Sequence, residues 1–419
     1  MLRNSVKRSL EEGDVVIRIS SLMGLESVLA DELRALGYQE EDIVVDNALV
    51  SLLPPGGLAD LPYHVAKCNI CLRTAERVDL ELAAFPAKTF DDVYEGIFAL
   101  DWSNLITKDA AFVINGFTRK SKLHSLPTLQ SVIKKAIVSS LQRSRGLSER
   151  SVIKEDPQIA ELKINFSLMK DYLSLSMNTS GTHLHKRGYR KDQEIAPLRE
   201  TLAAGLIYLS MWEPWSGELL YDPCCGSGTF LCEAALMAAN IAPGYKRSFD
   251  GEKWHLLGPK IFAEVKKELK EEESREAPEL PFIAGSDISP RALDSAAANL
   301  RRLGMPGFVD IYQRDLSILS AEQLKQEFSA ERLLLIANPP YGERMNADDL
   351  AEVERINKDL GKIAFYPQST FTKPGCRLTV ITAADFEEAT GHVADKRRKL
   401  YNGMLKTDMY HYFREKYID

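Results

Sequence analysis

Asn338-Pro339-Pro340-Tyr341 carries the most specific chemistry in this 419-residue chain. It follows Leu333-Leu334-Leu335-Ile336-Ala337, an apolar run that reads as a fully buried strand. Both prolines lack an N–H, and each biases its predecessor toward extended backbone, so the strand stops abruptly. The Asn side chain and the next carbonyls then point into the crevice above the sheet. There they can accept both N–H bonds of a planar amino group, while Tyr341 offers a face for a ring to stack on. That set suits the exocyclic amine of a nucleobase. A plain turn after a core strand competes with this reading unless a cofactor site exists elsewhere.

A second constellation supplies that site. Leu219-Leu220-Tyr221-Asp222 reads as a short strand, Pro223-Cys224-Cys225-Gly226-Ser227-Gly228-Thr229 as a glycine turn, and Phe230 to Asn240 as an apolar helix. Strand, turn and helix make the first unit of a doubly wound sheet, where ligands bind at the strand ends. Gly226 and Gly228 allow close backbone approach, and the free N–H groups opening the helix suit a carboxylate or phosphate. The spacing Gly-Ser-Gly departs from the dinucleotide pattern G-x-G-x-x-G. Phe282 to Asp287 reads as the next strand, and an acid ending it can bind both ribose hydroxyls. The long interval between the two strands holds an inserted, mixed-charge helix around Lys266-Glu273. Asp315 ends a third strand-like run, placed to meet an adenine amine. Each acid alone is an ordinary strand-end carboxylate. In this order, with the tetrapeptide one strand later, they form a coherent adenosyl-cofactor site.

These motifs resemble those of class I S-adenosylmethionine-dependent amino-methyltransferases. More narrowly, Leu184-His185-Lys186-Arg187-Gly188-Tyr189-Arg190 with Ala196-Pro197-Leu198-Arg199-Glu200, then Asn240-Ile241-Ala242-Pro243-Gly244, and Asp395 to Gly403 are similar to bacterial THUMP-domain RNA guanine-N2 methyltransferases that modify 23S rRNA. Leu72 to Val78 and Lys120 to Ser125 are similar too, so the resemblance spans nearly the whole chain. It implies an α/β fold: a Rossmann-like, doubly wound methyltransferase sheet with a terminal antiparallel strand, preceded by a small ferredoxin-like α+β module and an α+β THUMP domain. The implied cofactor is S-adenosylmethionine, held by Asp222, Cys225, Gly226, Gly228, Thr229, Asp287 and Asp315, with Arg199 and Glu200 on the cofactor side by family match. Asn338, Pro339, Pro340 and Tyr341 are the implied catalytic set. Two departures from the family pattern stand out: Cys224 replaces a larger apolar residue, and Ala351 to Phe371 differs, so the helix after the catalytic loop is expected to differ.

The expected domains are residues 1–68, 69–170 and 190–419. Net charge is −7, which by itself argues against an RNA partner. The distribution reverses that: residues 101–190 carry 15 Lys/Arg against 7 Asp/Glu, while residues 1–100 carry 9 against 17. A local basic patch on an acidic chain suits a specific nucleic-acid site. Arg119, Lys120, Lys122, Lys134 and Lys135 are its candidate RNA contacts; Lys396, Arg397 and Arg398 are further candidates for substrate phosphates. No apolar run approaches membrane-spanning length, and the N-terminus lacks a signal-peptide core. Six cysteines form no disulfide framework, and Cys68-Asn69-Ile70-Cys71 stands without a second pair, so neither disulfides nor a metal is expected, and the compartment is the reducing cytoplasm. Oligomeric state is not encoded in any pattern here. The leading expectation is N2-methylation of a 23S rRNA guanosine. Alternatives are tRNA guanine-N2 methylation, adenine-N6 methylation, and a non-catalytic RNA-binding assembly factor with a vestigial pocket.

Overall fold

A computed structural model describes residues 16–106, 108–190, 198–273, 282–340, 347–365, 376–403 and 405–413. The chain divides into two units: residues 1–21, 29–184 and 244–272 in the first, and 22–28, 185–243 and 273–419 in the second.

The first unit is built on seven strands: β1 (Val16–Ser21), β2 (Ile43–Asp46), β3 (Leu49–Leu52), β4 (Ala75–Pro86), β5 (Ala110–Arg119), β6 (Asp156–Met169) and β7 (Tyr172–Asn178). Their order is β2-β3-β1-β4-β7-β6-β5, with β5 parallel to β6 and the other neighbours antiparallel. The intervening helices are α1 (Glu26–Ala35), α2 (Gly57–Cys71), α3 (Phe90–Phe98), α4 (Trp102–Leu105) and α5 (Leu126–Ser144). Period-two alternation buries Ile17, Ile19, Val78, Leu80, Leu175 and Met177 on one face. Arg18, Asp79, Glu81, Ser174 and Ser176 lie on the other, as the pairing Arg18↔Asp79 and Glu81↔Ser176 requires. Thr89 starts α3 with a capping box to Asp92. The boundary expected at 68/69 falls inside α2, and the one at 170 in the turn between β6 and β7.

The polar face carries a titratable strain. Asp79 Oδ1 is buried with no hydrogen-bond partner, and burial pushes its carboxyl up to about 6, against the opposing pull of Arg77. In the unfolded chain the same group titrates near 3.9. The folded state therefore binds more protons between about pH 4 and 6, and stability falls as pH rises through that window. Asp79→Asn is expected to flatten this slope and to stabilise the protein by about 1–2 kcal/mol at pH 8. Urea unfolding at pH 4.5 and pH 8 measures it; an unchanged difference between the two pH values would refute the assignment.

The second unit carries α6 (Glu200–Leu209), β8 (Glu218–Asp222), α7 (Thr229–Ala238), β9 (Ile283–Asp287), α9 (Pro290–Leu303), β10 (Asp310–Gln313), α10 (Ala321–Glu327), β11 (Arg332–Ala337), α11 (Ala347–Phe365), β12 (Arg377–Thr382), α12 (Phe386–Thr390), β13 (Lys396–Asn402) and β14 (Leu405–Tyr412), while α8 (Gly258–Glu273) falls between α7 and β9 in the chain. The sheet order is β10-β9-β8-β11-β12-β14-β13, parallel from β10 to β12 with β14 and β13 antiparallel. The doubly wound sheet and its terminal antiparallel strand thus stand as expected, with β13 as an additional edge. Alternate residues of β8 and β11 feed two apolar layers: Leu220, Leu334 and Ile336 on one side, Leu219, Tyr221, Leu333 and Leu335 on the other. Covering both faces is why these strands read as unbroken apolar runs. Helix α9 starts at a Ser289 cap followed by Pro290. The inserted segment 244–272, including α8, belongs to the first unit: Gly244 N–H donates to Ile70 O and Gly251 N–H to Thr179 O.

Candidate active site

Strands β9 and β10 lie to one side of β8, and β11 and β12 to the other. The winding therefore reverses between β8 and β11, and their carboxyl ends flank the crevice where open α/β sheets take ligands. Asp222 ends β8, and Asn338 follows the last residue of β11. The acid and amide expected from the sequence thus both lie at the carboxyl ends of neighbouring strands at this switch point.

The turn after β8 is held by backbone bonds from both neighbouring segments. Cys224 N–H donates to Asp222 Oδ1 at 3.1 Å, Cys225 N–H to Ser286 O at 2.9 Å, and Gly228 N–H to Cys225 O at 2.7 Å. Asp287, ending β9, accepts from Gly226 N–H and from Ser289 N–H, each at 2.9 Å. Its carboxylate therefore shapes the glycine turn as well as standing where a ribose is expected. Gly226 has φ +51° and a side chain there would meet open space; Gly228, at +77°, starts α7 without a side-chain cap. Both need the left-handed region that glycine enters freely.

Asp222 is 2 % exposed, and burial, reinforced by the Asp287 charge, drives its carboxyl well above the usual range. Asp315 is different. It caps a short 3₁₀ turn, accepting from Ser317 N–H at 2.9 Å, and this bond lowers its pKa. Burial, with Asp222 and Asp287 adding to it, raises the thiols of Cys224 and Cys225, so neither is a thiolate nucleophile at neutral pH. Cys225 is buried beneath the turn as a small filler.

At the amide end, Asn338 Oδ1 is buried and has no hydrogen-bond partner. Pro339 is buried and Pro340 exposed. Tyr341 lies outside the described residues. Asn338 Oδ1 is thus an orphaned buried acceptor at the end of the strand next to the one that leads into the glycine turn, and this arrangement fits an adenosyl donor in the turn and an amine at Asn338.

Arg199 and Glu200 sit at the start of α6, Glu200 being 4 % exposed. Arg190, which spacing alone did not single out, reaches this place: its guanidinium donates to Thr229 Oγ1 at the start of α7 and lies 3.8 Å from Glu200 Oε1. The sequence separation of 39 residues hides that contact.

Among the basic candidates, Arg119, Lys120 and Lys122 are exposed where β5 ends, with Lys120 in the left-handed region. Lys134 instead pairs with Glu155 at 3.0 Å, and Lys135 lies over the Tyr94 ring. Lys396 is exposed on β13. Arg397 is drawn to Glu387 and Asp408, and Arg398 donates to Gly24 O. These three candidates lie on an edge strand, Lys396–Asn402. The helix expected to differ, after Asn338–Tyr341, is present as α11 over Ala347–Phe365.

Comparison with known proteins matches these parts in order. The RlmL ferredoxin-like domain matches residues 17–79, the THUMP domain residues 87–178, and the RMKL-like methyltransferase domain residues 187–411. The putative RNA methyltransferase YpsC of Bacillus subtilis is 37% identical over 93% of this chain and 94% of its own length. The ribosomal RNA large subunit methyltransferase K/L of Marinobacter nauticus is 32% identical over 92% of this chain; the chain spans about half (51%) of that relative's length. The crystal structure of SMU.472, a putative methyltransferase complexed with SAH, superposes with a TM-score of 0.82 at 34% identity, covering 96% of this chain and 99% of that one. The chain belongs to the RMKL-like methyltransferase family and is an S-adenosylmethionine-dependent methyltransferase.

Proposed function

We propose that the chain methylates RNA, and that its target is the N2 amine of a guanosine in 23S rRNA. The observation that carries this reading is the buried, unpartnered Oδ1 of Asn338 at the switch point. It is an acceptor awaiting an N–H, and the preceding strand holds it beside the glycine turn. The THUMP domain and the relatives named as RNA and ribosomal RNA methyltransferases support RNA as the polymer.

Bound S-adenosylmethionine supplies an already activated methyl group. The chain's own task is positioning, which accounts for most of the rate gain in such a transfer. A guanine N2 lone pair is delocalised into its ring. Asn338 Oδ1 and the Pro339 carbonyl accept its two N–H bonds, returning electron density to nitrogen and fixing its direction. Tyr341 stacks on the base. Asp222, Gly226, Gly228, Thr229, Asp287 and Asp315 hold the donor, and Cys225 packs beneath it. Extracting a base from its stack costs a few kcal/mol, which the RNA-holding module offsets. In this reading residues 69–170 hold RNA, residues 1–68 form a small structural module, residues 190–419 do the chemistry, and the enzyme works in the cytoplasm. Among the described residues no helix is long and apolar enough to cross a membrane.

Ribosomal and transfer RNA from a strain lacking the gene, incubated with the protein and methyl-labelled donor, then digested to nucleosides, tests this. N2-methylguanosine in 23S rRNA is expected. Label only in tRNA, or as N6-methyladenosine, overturns the substrate.

The loop after β5 gives a second expectation. Its exposed Lys120 and Lys122 meet backbone phosphate, so replacing both with alanine should weaken RNA binding uniformly across sequences and reduce the salt slope by about 1 per residue. Fluorescence anisotropy over a salt series measures this. An unchanged slope would place the RNA elsewhere.

A further inference from the structure

The edge of the first unit's sheet carries an open groove that the methyl transfer does not use. It lies between β5 and α5, and its volume of about 470 Å³ is that of a small-ligand site. Ser131, Lys134, Lys135 and Val138 supply one wall, because the spacing i, i+3, i+4, i+7 puts them on one stripe of α5. Phe112, Val113 and Ile114 of β5 supply the other. Val113 is 40% exposed although it stands in an apolar run. The cleft thus sets an apolar strand wall opposite two ammonium groups.

The surroundings say what fits there. β5 is the last strand of its sheet, and a bare strand edge invites a partner strand. Here two side chains cover it: Phe112 N–H donates to Glu155 Oε2 at 3.4 Å, and Ile114 O accepts from Gln130 Nε2 at 2.9 Å. A peptide strand would have to displace both. A compact ligand with an apolar, flat body and a negative group need displace neither, and a nucleotide has that form. The charge agrees, since residues 101–190 hold 15 Lys/Arg against 7 Asp/Glu. Lys134 is engaged by Glu155 at 3.0 Å, so phosphate falls to Lys135, which is exposed and held over the Tyr94 ring. From Ile114 the strand runs five residues, about 17 Å, to Arg119 and the exposed loop with Lys120 and Lys122. Groove and loop share one strand, which favours a polymer that touches both over a free nucleotide.

We propose that the groove between β5 and α5 captures one unpaired nucleotide of the RNA substrate, its base against Val113, Ile114 and Val138 and its phosphate at Lys135. This rests on the reading of the chain as an RNA methyltransferase. Gln130 and Ser131 bring an amide and a hydroxyl to the same groove, groups that can meet a base edge. The consequence is a requirement for unpaired RNA at a place other than the methylated base. A duplex keeps its bases stacked inside and offers the groove only backbone.

Two RNAs of one sequence, a single strand and a blunt duplex, each carrying 2-aminopurine at successive positions, test this on the full chain by emission and anisotropy. The single strand is expected to bind with a rise in 2-aminopurine emission as a base leaves its stack, and the duplex to bind without one. Val113→Glu puts a carboxylate into the apolar wall at an exposed position. It should remove the rise and weaken the single strand roughly tenfold, as loss of one held base does, with duplex affinity within about twofold of wild type. Ser131→Glu, on the exposed side of α5, should do the same. Lys135→Met should weaken the single strand and lower its salt slope by about 0.7. Unchanged single-strand affinity in both glutamate variants, or a rise with both RNAs, would overturn the proposal. So would adenosine monophosphate competing as well as the single strand, because the groove would then be a free-nucleotide site. A wild-type chain that binds neither RNA would instead remove the RNA reading itself.

Discussion

Asn338→Ala should lower methyl transfer by roughly 10²–10³-fold, the cost of losing one preorganised partner of the reacting group, with donor affinity within about twofold of wild type. The side-chain oxygen is buried without a partner, so the folded chain has already borne the cost of desolvating it. An incoming N–H recovers that cost, and the bond strengthens as the amine nitrogen gains positive charge in the transition state. The loss should therefore fall on kcat more than on KM for RNA. Alanine removes an unsatisfied acceptor, so stability should not fall; a small rise is expected. Asn338→Asp retains an oxygen at the same place and should keep more activity than alanine. Single-turnover transfer and calorimetry with S-adenosylhomocysteine separate the two effects. Full turnover by Asn338→Ala, or a loss matched by lost donor binding, would remove Asn338 from the chemistry.

Most of this site was legible because it lies at strand ends. Buried parallel strands announce themselves as apolar runs, and the residue after each run, Asp222, Asp287 or Asn338, falls at the crevice by topology alone. What stayed hidden depends on contacts distant in sequence. Asp287 was read as a ribose ligand; that its carboxylate also supports the turn, by a bond to Gly226 N–H 61 residues away, was not legible. Helix α2 was missed because Pro62 lies inside it; the carbonyl it frees belongs to Leu58, in the exposed first turn, where water can take it. Strand β13 was missed because Lys396-Arg397-Arg398-Lys399 lies at a sheet edge, where charge is common and Leu400 is the buried residue. The basic patch was read from charge counts, which do not show that Lys134 is paired with Glu155. Motif resemblance carried residues 184–190 without a reason; the structure supplies one in the buried ion pair of Arg187 with Glu233 on α7.

That pair carries the largest expected effect on stability. Arg187 and Glu233 have side chains 2% and 0% exposed and lie 3.4 Å apart, with Tyr189 OH donating to the other carboxylate oxygen at 3.1 Å. Arg187→Met leaves a buried carboxylate facing a thioether and a single hydroxyl, which should cost about 3–5 kcal/mol. Adding Glu233→Leu removes the stranded charge and fills its place with apolar volume on a helix whose other residues are mostly buried and apolar. The double variant should recover most of the loss, because replacing a whole buried pair by apolar groups is near neutral whereas breaking one is not. Glu233 lies one turn along α7 from Thr229, where the glycine turn ends. A carboxylate seeking water would tilt that turn of helix, so the single variant should also bind S-adenosylhomocysteine more weakly, and the double variant should regain affinity together with stability. Urea midpoints and calorimetry on the three proteins decide this. A single variant that loses less than about 1 kcal/mol would show that the pair contributes no more than a surface ion pair, and a double variant as unstable as the single would show that Arg187 acts by packing alone.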